Sequence, residues 1–517
     1  MITEFRNEPF TDFSVASNQE AMKSAIAKVK SQLGKTYPLV IGAEKIQTSD
    51  FIVSTNPSQP KQEIGKFSKA TKEHAEQAMK VALSRFESWR KTPGLERARY
   101  LFKVAALMRA RKHELAAWMI FEIGKSWAEA DGDVAEAIDF CEFYGREMVR
   151  LSQPQPLTPW AGEENELVYL PLGVGIVIPP WNFPLAICVG MTSAAIVAGN
   201  TVILKPSSET PAIAYQFFSM LEEAGLPPGV LNFLPGPGAS VGDFLITHPQ
   251  TRFIAFTGSK EVGLRINELA AKPQPGQLWI KRVVAEMGGK DSIIVDDDTD
   301  LDVAAEGVVS SAFGFQGQKC SACSRVIVHK TVYDSFLQKI KDGTNKLTVG
   351  PVEDQKYQFG PVASKSAYQS ILEYIEIGKK EGTLVTGGKS ARGEGEGFFI
   401  EPTIIAGLSP TARICLEEIF GPVLAVIKAD SWDDALSIAN NTEFGLTGGV
   451  YSRSRDHLEQ ARREFFVGNL YLNRKCTGAL VGVNPFGGFN MSGTDSKAGG
   501  RDYLLLFTQA KAVSEKF

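Results

Sequence analysis

Between Leu167 and Leu204 the chain carries no charged residue, a run long enough to cross a bilayer. Pro171, Pro179, Pro180 and Pro184 interrupt it, with Asn182 among them, and each break would leave backbone groups to be satisfied inside lipid. The run therefore reads as the interior of a globular domain. Val174–Ile178 has the pattern of a buried strand, PPWNFP that of a turn, Leu185–Ala198 that of a buried helix ending at Gly199-Asn200, and Thr201–Leu204 that of a second buried strand. Strand, turn, helix and strand in this order make a parallel βαβ unit.

The alternation continues. Ala212–Glu223 has helical spacing, Val230–Leu234 is a short strand, the stretch around Val241–Thr247 is helical, and Phe253–Phe256 is a strand running into a glycine turn. Ahead of this doubly wound domain, Lys72–Trp89, Leu95–Ile123 and Ala128–Leu151 read as three long amphipathic helices. Behind it, strands at Ser292–Val295, Arg325–Val328, Leu384–Thr386 and Val423–Ile427 alternate with helices at Asp334–Asn345 and Lys365–Glu381, which predicts a second α/β domain beginning near Glu286–Lys290. Arg392–Gly397 reads as a solvated low-complexity loop.

With 517 residues, 44% of them hydrophobic, the chain has material for at least two cores. Its net charge of −4 and pI near 5.9 give no basic field for nucleic acid or anionic lipid, so the expected partners are small molecules and other protein chains. Six cysteines are too few for a disulfide framework at this length, and the start MITEFRNEPF has no apolar signal region, so the expected setting is reducing and cytoplasmic.

Four patches carry residues suited to chemistry. Cys320, in GQKCSACS, sits between a helix-like segment and a strand beside Lys319, a setting for a nucleophile whose reference pKa of about 8.5 must fall. Cys320 and Cys323 also match C-x-x-C, but the other cysteines, at 141, 188, 415 and 476, provide no nearby pair to complete a zinc site. Glu286, at the end of an apolar strand in EMGGK, is placed for burial to raise its pKa toward that of a general base; an exposed cap is the plainer alternative. Asn182, in a proline-stiffened turn, offers either a preorganised oxyanion donor or the N-cap of the next helix. Lys205, at a strand end, and Gly258-Ser259, opening a helix, suit ribose hydroxyls and a pyrophosphate. Gly236-Pro-Gly238-Ala-Ser-Val-Gly242 is one residue too long for the dinucleotide fingerprint G-x-G-x-x-G.

Taken together, PPWNFP, LKPSSETP, FTGSKEVG, EMGGK, GQKC, EEIFGPV and PFGG follow one another in an order that resembles the aldehyde dehydrogenase superfamily over the whole length. GQKCSACSR and RKCTGALVGVNPFGGFNMSGTDSKAGG are similar to the branch that oxidises L-glutamate γ-semialdehyde, the 1-pyrroline-5-carboxylate dehydrogenases of proline and arginine breakdown. The resemblance implies a Rossmann-like NAD-binding domain at 1–151 and 171–286 and a catalytic domain at 287–486. It also implies a β-hairpin oligomerisation arm with the C-terminal tail, at 152–170 and 487–517, and a homodimer or a multiple of dimers.

It implies site roles as well. Cys320 attacks the aldehyde, Asn182 and the Cys320 N–H hold the oxyanion, and Glu286 activates the water that hydrolyses the thioester. The cofactor is held by Pro180, Trp181, Lys205, Ser208, Gly258, Ser259, Gly263, Glu418 and Phe420, and no metal takes part. Many NAD-specific members carry Glu where this chain has Ser208, so NAD use with tolerance of NADP is expected. For the substrate, Gly478 and Ala479 with Ser321 form an anion site, Phe183 and Phe486 frame the aliphatic chain, Glu136 lies near the entrance, and Lys319 favours the thiolate or an anionic substrate. The alternatives are an enzyme for another carboxylated or small aldehyde, a silent nucleotide-binding scaffold and a Cys-x-x-Cys redox protein.

Overall fold

The computed structural model describes residues 3–393 and 395–517; Glu394, within the low-complexity loop, lies outside the described residues. A first seven-stranded sheet is ordered Arg282–Glu286, Thr251–Thr257, Val174–Ile178, Thr201–Leu204, Leu231–Phe233, Leu39–Ile41 and Glu44–Ile46. Its first five strands run parallel, and the last two add an antiparallel edge. The parallel strands are apolar on both faces because helices cover both. From Val174–Ile178 the chain builds outward on one side, then returns to lay Thr251–Thr257 on the other. That reversal opens a crevice at the carboxyl ends of these two strands, where PPWNFP and Gly258-Ser259 follow.

The second seven-stranded sheet is ordered Thr383–Thr386, Thr403–Ala406, Val423–Ala429, Cys323–His329, Asp291–Val295, Thr447–Tyr451 and Asn469–Leu472, parallel except at Thr383–Thr386. Strand Arg282–Glu286 belongs to the first sheet and Asp291–Val295 to the second, with the glycine pair of EMGGK between them. No helix among the described residues is long and apolar enough to cross a membrane.

The structure departs from the sequence reading in three places. The expected helix Leu95–Ile123 is two helices, Gly94–Ala110 and Lys112–Ile123, broken at Arg111 (φ −117°, ψ 21°). Apolar spacing continues across this one-residue kink, so the pattern does not reveal it. The second of the two is not amphipathic, since every residue from Leu115 to Ile123 is buried. The third departure concerns the tail: within 487–517 only Thr508–Lys516 pairs with the arm strand Glu163–Pro171, in antiparallel register from Thr508↔Pro171 to Lys516↔Glu163. Residues 487–498 instead fold under Glu286.

Buried Asn200 ties the roots of the arm to the core. Its Oδ1 accepts the N–H groups of Leu172 (2.7 Å) and Gly173 (2.9 Å), and its Nδ2 donates to Ala195 O (3.0 Å) and Phe507 O (2.9 Å). Asn200→Ala leaves the Leu172 and Gly173 N–H groups and the Phe507 carbonyl without the side-chain partner, while Ala195 O keeps the backbone N–H of residue 200, so chemical unfolding should show a loss of about 3 kcal/mol; a loss below about 0.5 kcal/mol would contradict this tie.

Candidate active site

Cys320 stands just before the central strand Cys323–His329, after a turn in which Phe315 (φ 48°) and Gln316 (φ 56°) are both left-handed. Opposite it is PPWNFP. Asn182 Nδ2 donates to the Gln318 carbonyl at 3.2 Å and its second N–H has no acceptor among the described residues, so the amide belongs to the Cys320 loop and does not cap the following helix. A Cβ at Gly289 would collide with the Cys320 carbonyl oxygen, which lets the EMGGK turn lie directly against the same loop.

Glu286, in register with Thr257 at the sheet's carboxyl edge, turns its carboxylate inward. Oε1 accepts from Ser496 Oγ (2.5 Å) and Ser496 N (3.3 Å), whereas Oε2 is buried without a partner among the described residues. Burial raises its pKa to about 7, against the Ser496 hydrogen bonds and the Lys497 charge, which favour the carboxylate. Glu418 behaves alike: Oε1 accepts the Gly289 N–H at 2.8 Å, and burial takes its pKa to about 7. Phe420, left-handed at φ 54°, sets its ring edge-on to Trp181 with centroids 5.3 Å apart.

The Cys320 thiol is pushed up by burial and by the carboxylates of Asp291, Glu418 and Glu286. The expectation that Lys319 eases its ionisation is not met, because the Lys319 ammonium lies 2.7 Å from Glu129 Oε1. Cys323 is buried and its Sγ donates to Arg325 O, and all six cysteines are free, so the Cys-x-x-Cys spacing serves the strand start.

At the carboxyl edge of the first sheet, Lys205 is buried and its ammonium finds only Pro206 O, at 3.5 Å, among the described residues, so burial lowers its pKa to about 8. Ser208, three residues on, is exposed. Ser259 caps the helix Lys260–Ala271 by accepting from Val262 N, and a Cβ at Gly263 would strike Met287. An underpartnered ammonium and a helix N-terminus at the same carboxyl edge of the sheet fit a dinucleotide. Gly242 packs on the Lys205 stem, which brings the overlong glycine stretch into this site. Gly238–Gly242 is a π-helical turn, which takes up the residue that spoiled the spacing.

The N–H groups of Gly478 (φ 79°) and Ala479 and the Ser321 hydroxyl have no protein acceptor among the described residues. Cys476 Sγ donates to Ser321 O at 3.5 Å, tying this loop to the Cys320 loop. Phe486 exchanges backbone hydrogen bonds with Ala498 and is half-buried. Glu136 shares a charge cluster with Asp133, Lys125 and Lys319, and burial raises its pKa to about 8.

Lys125 has no signal in the sequence. It lies between left-handed Gly124, which ends one helix, and Ser126, which caps the next, and this tight joint sends it inward. Its ammonium is 2.8 Å from Asp133 Oδ2, with both side chains fully buried, and sits over the rings of Phe183 (3.9 Å) and Phe315 (4.6 Å). It thus bridges the Asn182 turn and the approach to Cys320.

Residues 45–513 match the model of the aldehyde dehydrogenase family. The chain belongs to the aldehyde dehydrogenase family. It is 58% identical, over the full length of both chains, to a 1-pyrroline-5-carboxylate dehydrogenase of Geobacillus kaustophilus, and 57% to one of Anoxybacillus flavithermus. Among solved structures, a Thermus 1-pyrroline-5-carboxylate dehydrogenase with bound NAD superposes with a TM-score of 0.98 at 52% identity, covering all of both chains.

For this family member, Lys125→Met would leave Asp133 an unpaired buried charge. Thermal or urea unfolding should register a loss of about 3–5 kcal/mol, and a variant as stable as the parent would remove the bridging role.

Proposed function

We propose that the chain oxidises L-glutamate γ-semialdehyde, the open form of 1-pyrroline-5-carboxylate, to L-glutamate with NAD. The observation that carries the reading is the Asn182 amide bonded to Gln318 O, two residues before Cys320. It gives one loop both a nucleophile and a preorganised oxyanion donor. The identity to 1-pyrroline-5-carboxylate dehydrogenases over the whole chain supports the substrate.

In this reading the Cys320 thiol releases its proton to solvent, its thiolate Sγ adds to the aldehyde carbon, and the free Asn182 N–H and the Cys320 N–H hold the oxyanion. Lys205, Gly258, Ser259, Gly263, Glu418, Phe420, Pro180 and Trp181 would hold NAD, which when bound would supply the hydride acceptor. Loss of a hydride from the adduct leaves a thioester on Cys320. Glu286 Oε2 takes a proton from water, the resulting hydroxide adds to the thioester carbonyl, and expulsion of the Cys320 sulfur yields the carboxylic acid. Gly478, Ala479 and Ser321 donate to the substrate carboxylate, Glu136 and Lys319 lie at its polar end, and Phe183 and Phe486 flank its methylenes.

The arm is the proposed dimer contact. A two-stranded ribbon is marginal alone, and this one exposes Val168, Leu170 and Val513, surface that a second copy would cover. Six free cysteines suit a cytoplasmic setting.

A paired substitution tests the chemistry. Cys320→Ala should abolish NADH formation, and Glu286→Gln should allow at most one equivalent per site; steady-state turnover by Glu286→Gln would overturn the role of Glu286. Asn182→Ala should lower kcat by about 10²–10³. Because Glu286 works as the carboxylate and its pKa stands near 7, turnover should fall as pH drops through about 7; a rate flat from pH 8 to 5.5 would contradict the assignment. Turnover of glutamate γ-semialdehyde should exceed that of propanal and succinic semialdehyde. Ser208 removes the repulsion that a carboxylate would offer a 2′-phosphate, so NADP should be reduced measurably at millimolar concentration; no NADP turnover would refute that role.

A further inference from the structure

The segment from Gly487 to Gly500 is rich in glycine and small polar residues, a composition that by itself predicts only a loop. In the fold it attaches to the strand that ends in Glu286. Thr494 N donates to Ala285 O (2.9 Å), Ala285 N donates to Thr494 Oγ1 (3.1 Å), and Met287 N donates to Ser492 O (2.7 Å). Lys497 Nζ donates to Gly468 O and Gly487 O, both at 2.8 Å, which pins the far end.

Between these anchors the backbone is strained: Asp495 and Lys497, on either side of Ser496, both have φ of 52°. Left-handed non-glycine residues cost free energy and persist where the surroundings overdetermine them. What the strain accomplishes is visible at Ser496, which is buried and turns both its O–H (2.5 Å) and its N–H (3.3 Å) onto Glu286 Oε1.

We propose that Ser496 is a positioning residue for the general base: it engages one oxygen of the Glu286 carboxylate, so that the other alone is free to take the proton of the hydrolytic water. The buried, unpartnered Glu286 Oε2 is that second oxygen. The proposal rests on the reading of Glu286 as the base that hydrolyses the acyl-enzyme. The other titratable or charged groups facing Glu286 are Lys497 on the same segment, the Cys320 thiol and the Tyr503 phenol. Of these Lys497 favours the carboxylate, as does the Gly488 backbone N–H, and Ser496 is the side chain that hydrogen-bonds to it.

A role confined to thioester hydrolysis leaves hydride transfer untouched, and this separates positioning from mere loop support. With NAD and glutamate γ-semialdehyde in stopped flow, Ser496→Ala should form the first equivalent of NADH within about twofold of the parent rate. Steady-state turnover should then fall about tenfold, the scale of one lost hydrogen bond to a charged group. The Ser496 O–H stabilises the carboxylate, so without it protonation is easier, and the acid limb of the turnover profile should move up by about one pH unit.

A parent-like turnover and pH profile in Ser496→Ala overturns the proposal. So does a parallel loss of first-turnover and steady-state rates, which is the signature of a collapsed loop. If the alanine variant does not fold, Ser496→Cys, nearly equal in volume and a weak donor, is read in the same way. Glu286→Gln run alongside keeps the two readings apart. Undiminished turnover there removes the base itself, whereas a blocked Glu286→Gln beside a normal Ser496→Ala removes only the positioning role.

Discussion

The Cys320 carbonyl rests against Gly289 so closely that no side chain fits between them. This contact joins the carboxyl edge of one sheet to the amino end of the central strand of another. Around it Asn182 reaches Gln318 O, Glu418 accepts from Gly289 N–H, and Glu286 lies at the start of the same turn. Were the two sheets held apart by one methyl group, Cys320, Asn182 and Glu286 would remain in the chain but no longer in one site.

Burial in this junction moves several titratable groups in the same direction, toward neutrality. Glu286 and Glu418 rise to about 7, and Lys205 falls to about 8. The consequence differs with the partners. Glu286 keeps one unpartnered oxygen, which suits proton abstraction from water. Lys205 keeps donors without acceptors, which suits a polar ligand. Lys125 and Asp133 are equally buried and balance each other's charge as an ion pair.

Much of the catalytic side of the protein is legible in local order. Proline-stiffened PPWNFP, the strand running into EMGGK and the loop around Cys320 each carry their signal within a few residues, and the two parallel sheets follow from the alternation of apolar strands and helices. Ser496 and Lys125 are not legible in this way. Ser496 meets Glu286 across 210 positions of sequence, and Lys125 meets the rings of Phe183 and Phe315 from another helix junction. The Gly236–Gly242 stretch hides for a different reason: its spacing misses the fingerprint, and only the π-helical turn that absorbs the extra residue seats Gly242 on Lys205.

The sequence by itself determined which residues could react and which segments would become buried strands, because side-chain chemistry and apolar periodicity are properties of short stretches. Tertiary structure alone decided the protonation tendency of those residues and their division of labour. Lys319 illustrates this: its neighbour in sequence is Cys320, but its neighbour in space is Glu129. Electrostatic and hydrogen-bonding energies depend on distance through the fold, and distance along the chain does not predict it.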